Sequence, residues 1–143
     1  MILDLQPVIA RLQGAGTGFK AIGASAELDG AIDGTVITPG AFVLPLAEAA
    51  TAMDTLGRTG QRITQLFGVV LCVANRRDAK GAAALNELHP LRQQVRAALV
   101  GWIPNADTAE PVHFVAGRLM KMDGDGRLWW IDEFELIDFY WSA

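Results

Sequence analysis

Six carboxylates crowd into residues 123–143, namely Asp123, Asp125, Asp132, Glu133, Glu135 and Asp138, so divalent-cation chemistry is the first to weigh. Asp123 and Asp125 resemble the opening of a calcium loop. Arg127, however, stands where a third oxygen ligand belongs, and Phe134 stands where the bidentate Glu should be. The segment reads better as a hairpin turn, because Asp-Gly repeated between apolar runs supplies the residues that positive-φ turns want. Asp132, Glu133, Glu135 and Asp138 could hold Mg2+ only by converging. On a strand, side chains alternate, which puts Asp132 and Asp138 on one face and Glu133 and Glu135 on the other.

The remaining candidates are weaker. Gly14, Gly16 and Gly18 follow a helical pattern instead of a strand and lack the Gly-Lys-Ser/Thr ending of a phosphate loop. Cys72 sits in an apolar strand without a nearby base, which suits an inert buried thiol. His89 and His113 have no ligand spacing to each other or to carboxylates, so neither marks a metal site. Arg76 and Arg77 read as solvated charge at a strand-to-helix turn, with an interface as the sharper reading. No catalytic set and no cofactor site emerges.

The whole chain of 143 residues suits a single domain, 1–143. Its net charge of -4 argues against wholesale nucleic-acid binding by a basic surface. The acidity is local: residues 123–143 carry six acids against Arg127, a net of -5, while the first 122 residues hold 11 basic and 10 acidic side chains. One cysteine excludes an intramolecular disulfide and a cysteine-rich zinc site. Neither a signal-peptide pattern nor an apolar run of membrane-spanning length is expected, so no membrane partner is assigned and cytoplasmic synthesis follows.

These residues need elements to hold them. Asp4 can cap a helix whose stripe is Leu5, Ile9 and Leu12, with Pro7 harmless in the first turn and Gly14 at the end. A short strand at Phe19 to Ala21 and a weak helical turn at Ala24 to Ile32 follow. Ala41 to Leu46 is a strand that Pro45 confines to an edge or bulge. Residues 47–60 read as a long mobile connection. Gln61 to Ala74 is a strand with Ile63, Phe67, Val69, Leu71 and Val73 on one face. At about 3.3 Å per residue it spans roughly 46 Å, against a diameter of about 37 Å for a compact domain of this size, so it must bend at Gly68 or project.

Asp78 to Val100 is the main helix, with Leu85, Leu88, Leu91, Val95 and Leu99 in phase across a kink at Pro90 and Gly101 ending it. Val112 to Val115 and Arg118 to Met122 form two short strands or one bulged at Gly117. The hairpin then leads into a last strand, Arg127 to Trp141, carrying Trp129, Trp130, Phe134, Phe139, Tyr140 and Trp141. That is more aromatic surface than one half-buried strand needs, so the core or a partner must cover it. The expected fold class is α+β, a mainly antiparallel sheet with two principal helices packed on one face.

A series of short segments carries a resemblance. Thr38-Pro39-Gly40-Ala41-Phe42-Val43-Leu44-Pro45-Leu46 comes first, followed by Gln61-Arg62-Ile63-Thr64 leading to Phe67-Gly68-Val69-Val70. Arg76-Arg77-Asp78-Ala79-Lys80-Gly81 and Ala98-Leu99-Val100-Gly101-Trp102-Ile103-Pro104 come next, and the series closes with Gly117-Arg118-Leu119 and Trp129-Trp130-Ile131-Asp132-Glu133-Phe134. In this order, over nearly the whole chain, they resemble the tail terminator proteins of long-tailed phages and prophages. The resemblance implies a ring-forming subunit, a homo-hexamer that caps the tail tube at its proper length and then docks the head. Its partners would be its own copies, the tail tube protein and a head-tail connector protein. DNA would pass through the channel without specific binding, and the location would be the virion tail after assembly in the host cytoplasm.

Under that resemblance the two long strands contribute a subunit interface and the Thr51 to Gly60 connection meets the tail tube. The candidate interface residues are Arg58, Arg62, Arg76, Arg77, Trp129, Trp130, Glu133 and Phe134. Two other readings stay open: a different connector or completion protein, and a small ligand-binding or metal-dependent enzyme domain using the Trp129/Trp130 strand as a pocket wall.

Overall fold

A computed structural model describes residues 4–34, 37–54, 56–74, 82–106, 109–123 and 126–142. The first helix, α1 (Gln6–Gly14), buries Val8, Ile9 and Leu12 on one stripe, and the Asp4 carboxylate accepts the Gln6 N–H at 3.0 Å. Then come strand β1 (Ala21–Ala24), helix α2 (Ser25–Asp33), and the long strands β2 (Gly40–Met53) and β3 (Gly60–Ala74). Helix α3 (Ala82–Leu99) and strands β4 (His113–Met122) and β5 (Arg127–Trp141) complete the described elements.

The five strands form one sheet in the order β1-β2-β3-β5-β4. Only β1 pairs in parallel, with β2; the other neighbours are antiparallel. The fold is thus α+β with a mixed, mostly antiparallel sheet. Helices α1 and α3 share one face, over Val43, Phe67, Val69, Leu71, Leu128 and Phe134. The other face is not bare. There α2, expected as no more than a helical turn, packs Leu28 and Ala31 on Phe42, Val70, Cys72, Trp129 and Ile131. A stretch of β3 flanked by helices on both sides explains why Val69 to Val73 is an unbroken apolar run, each residue 1% exposed or less.

Several boundaries differ from the sequence pattern. Residues 47–53 are not a mobile connection. They prolong β2 to Met53, every one from Ala47 paired with β3, after a bulge that leaves Leu46 outside the ladder beside Pro45. The run Ala47-Glu48-Ala49-Ala50 lacks β-branched residues and carries little strand signal, yet pairing with the long β3 overrides that weak local preference. In α3 the buried stripe is Ala84, Leu88, Leu91, Val95 and Leu99, while Leu85 is 49% exposed. The first strand lies at Ala21–Ala24, not at Phe19 to Ala21. Strand β4 is one strand, and its irregularities fall between Phe114 and Ala116 and between Leu119 and Lys121, not at Gly117. The expected helix start at Asp78 lies outside the described residues.

The helices cover one end of the sheet only. Beyond them β2, β3 and β5 run on as a three-stranded extension, closed by the pairs Met53 with Gly60 and Gly60 with Trp141. Ala47 to Ala52 are all exposed there, and neither buried cluster includes any residue of 46–53 or 139–141. The length of β3 is therefore met by projection. At Gly68, where the projection leaves the body, an added Cβ would stand 2.7 Å from Ile131 Cδ1 and 3.2 Å from Leu46 Cδ1, so the absent side chain lets these side chains of the flanking strands close over it.

Candidate assembly surface

The tip of the extension brings the β2–β3 loop onto the end of β5. Thr59 N–H donates to Ser142 Oγ, and Ser142 N–H donates to the Thr59 carbonyl, both at 2.8 Å. Arg58 lies over the Trp141 ring, 4.4 Å from its centroid, a cation–π contact made at the surface. Leu56 beside it has no contact cover at all, with 101% exposure. Arg62 is exposed one turn of the ladder inward, opposite Phe139. Arg58 and Arg62 are thus brought to one end of the molecule, next to aromatic side chains. Arg and Trp in such a setting are the residue types that dominate protein interfaces.

The candidates on the β5 strand divide by burial. Trp129 is 2% exposed and Phe134 has no exposed surface. Phe134 stacks on Phe67 with centroids 5.6 Å apart and meets Phe114 edge-on at 5.7 Å. Trp129 faces Phe42 at 6.5 Å and lies under α2. Much of the aromatic surplus on β5 is therefore covered by the subunit itself. Trp130 and Glu133 are half-buried, Glu133 opposite Ala116 and Gly68. Arg76 and Arg77 lie outside the described residues.

One buried polar constellation has no counterpart in the sequence reading. Asp132, with no exposed surface, receives Arg92 of α3 through Nη2 at 2.8 Å and through Nε at 3.1 Å and 3.2 Å. The Trp130 indole N–H donates to the same carboxylate at 2.9 Å, and the Arg92 guanidinium lies over the Trp130 ring at 4.4 Å. Gly117 on β4 makes room, since a Cβ there would stand 2.6 Å from Asp132 Oδ1 and 2.7 Å from Arg92 Nη2. The cluster clamps α3 to β5. Its only sequence signal is an acid between aromatic residues on a strand that must be buried on both faces.

This arrangement sorts the described acids of the last strand and of the turn before it. Asp132 is committed to Arg92, and Asp123 to Arg127 at 2.7 Å. Arg127 in turn donates to the Gly34 carbonyl at 2.9 Å beyond the end of α2. Glu133, Glu135 and Asp138 are half-buried, with Asp138 on the opposite face from the two glutamates, as strand alternation requires. Among the described residues no group of three or more His, Cys, Asp and Glu side chains converges for a metal. Cys72 is fully buried, and burial pushes its thiol up to about 12, which removes the thiolate needed of a nucleophile.

A groove of about 550 Å³ lies between α1 and α3, along Ala10, Gln94 and Ala97. Arg11 at its side is engaged, donating to the Ala98 carbonyl at 2.9 Å and lying 5.3 Å over Trp102. It gathers no convergent set of titratable groups. No described helix is long and apolar enough to cross a membrane.

Comparison with known proteins gives the family. The family model for phage tail terminator proteins matches residues 1–139. The chain belongs to the phage tail terminator family. It is accordingly a structural protein of the phage tail, a component of the virion that associates with other phage proteins. No curated protein matches this terminator chain. Among solved structures it is similar to a chain of a virion of a native gene transfer agent particle. That chain shares 14% identity and a TM-score of 0.49, with 93% of this chain and 85% of the other covered.

Proposed function

We propose that this terminator is a single-domain subunit of a homo-hexameric ring that caps the tail tube, ends tail elongation and then presents the docking face for the head-tail connector. The observation that carries this reading is the three-stranded extension. Its strands run beyond the helix-covered body into a tip that bears Arg58, Arg62 and an uncovered Leu56. A lone subunit gains nothing by holding the exposed run Ala47 to Ala52 of β2 in solvent, whereas a ring places it against a neighbour. Arg58 and Arg62 supply charge at the tube contact, acting on encounter rate and specificity more than on bulk affinity. Trp130 and Glu133, half-buried, keep part of their surface for a neighbour, while Trp129 and Phe134 act through the core that β5 packs into.

The ring's channel is the route of the DNA. Some of the acids of β5 face it: Glu133 and Glu135 lie on one sheet face and Asp138 on the other, and a wall carrying either set repels phosphate and lets DNA pass without specific binding. The protein works without catalysis or cofactor, in the virion tail, after assembly in the host cytoplasm. Solution mass by light scattering with negative-stain imaging tests the ring. Six-subunit rings are the expected result, and a monomer both alone and on tail tubes refutes it. Tail-length measurement after loss of the protein tests termination: tubes of uncontrolled length are expected, and tails of normal length refute the capping role.

A further inference from the structure

The geometry points to the ring contact itself: the outer edge of β2, Leu46 to Met53, pairs antiparallel with the β4 edge of a second copy of this chain. This deepens the ring reading and rests on it. The sheet has two long unpaired edges among the described residues. Strand β1 covers β2 only from Gly40 to Val43, so along the rest of β2 no described strand pairs on that side. At the far side β4 pairs with β5 and with no other described strand. Monomeric proteins blunt such edges with charge, proline or bulges. Past Leu46 the β2 edge has none of these except Glu48, and its exposed side chains are mostly alanine.

Three independent features fit the two edges to each other. First, strand directions alternate through β2, β3, β5 and β4, so a copy placed by rotation about an axis in the general strand direction sets its β4 antiparallel to β2. The alternation continues unbroken across the junction. Second, the faces match. Ala49 and Thr51 share the sheet face of Ile137 and Phe139, which is also the face of Ala116 and Arg118. A register that sets Thr51 opposite Ala116 and Ala49 opposite Arg118 keeps each face continuous and sets no like charges opposite each other.

Third, the offset has the size that closure needs. Strand β4 lies level with residues 128–135 of β5, whereas the β2 edge, read through β3, lies level with residues 135–141. The centres differ by about six residues, or about 20 Å at about 3.3 Å per residue, across four strands spanning about 19 Å. That stagger inclines the strands by about 45° to the ring axis, at the upper end of the range of about 35–45° in closed barrels. An unstaggered pair of edges would call for upright strands, which a twisted sheet does not favour.

Disulfide trapping in the assembled protein tests the pairing. In the double variant Thr51→Cys with Ala116→Cys, oxidation should give a ladder of covalently linked subunits on a non-reducing gel. The ladder should collapse with dithiothreitol and be absent from either single variant, because Cys72 is buried. Ala49→Lys, which adds an edge-blocking charge at an exposed site, should leave the circular dichroism of the subunit unchanged and raise the concentration needed for ring assembly by about tenfold or more. Rings of normal mass that form no ladder with this pair, nor with Ala49→Cys and Arg118→Cys, overturn the edge pairing and leave the ring reading standing. Normal assembly of Ala49→Lys does the same. A subunit that stays monomeric alone and on tail tubes overturns both.

Discussion

Replacing Arg92 with Met should be among the most damaging single changes in the subunit. Asp132 has no exposed surface, and two of its neighbours donate to it, the Arg92 guanidinium and the Trp130 indole. Removing the cation strands a buried carboxylate, a change that costs about 3–5 kcal/mol. The Arg92 side chain keeps 20% of its surface in water, which draws the figure toward about 3 kcal/mol. Against a total stability of about 5–15 kcal/mol that is a large fraction. At about 3 °C per kcal/mol it lowers Tm by about 10 °C. Urea unfolding followed by circular dichroism reads the loss as a midpoint shift of about 1.5 M for a slope near 2 kcal/mol per molar. Gly117→Ala should fall in the same direction by about 1–3 kcal/mol, since its Cβ overlaps the pair. The double variant Arg92→Met with Asp132→Leu should recover part of the single loss, because no charge is left buried. A loss below about 1 kcal/mol for Arg92→Met, or strict additivity in the double variant, would refute the view that this pair clamps helix to sheet.

Other expectations follow from single sites. Gln65 is 1% exposed and neither of its amide atoms has a protein partner, so Gln65→Leu should stabilise the fold by about 1–3 kcal/mol; chemical unfolding checks this, and a destabilised variant counts against it. Cys72 should titrate far above an ordinary thiol. Since its folded value is raised, its contribution is intact below about pH 9 and is lost as pH climbs toward about 12, and thiol labelling at pH 8 should be slow until denaturant is added. Leu56→Ser should leave stability within about 0.5 kcal/mol, because the side chain touches nothing, yet impair tail completion; tails of normal length and head-joining competence would show that the tip is only a linker.

Much of the sheet could be read directly because its signals are local. Ile63, Phe67, Val69, Leu71 and Val73 alternate onto one face, and the last strand runs from Arg127 to Trp141 as its aromatic pattern indicates. The second half of β2 could not be read, since an alanine-rich run becomes a strand only when a long partner lies beside it. The extent of α2 is hidden in the sequence for a related reason. Its Leu28 and Ala31 are a narrow apolar stripe, and they matter because Trp129 and Phe42 project toward them from strands distant in sequence. The Arg92 clamp joins residues 40 positions apart, and nothing in the spacing of Asp132 along its strand distinguishes a paired buried acid from a solvated one. The same ambiguity made the acids of β5 resemble a metal site, and burial is what separates Asp132 from Glu133.

Strands β3 and β5 pass from the body into the extension without a break in their ladder, from Ala74 opposite Arg127 to Gly60 opposite Trp141. Such a ribbon is stiff along its length and compliant only in twist and bend. Load applied at the tip along the strands is shared by many ladder bonds at once instead of opening them one by one. A push on Arg58 or Leu56 is therefore carried along the ladder toward the helix-covered end. Whatever seats against the tip can report its arrival at the opposite end of the subunit through mechanics alone, without any residue in between changing its partner.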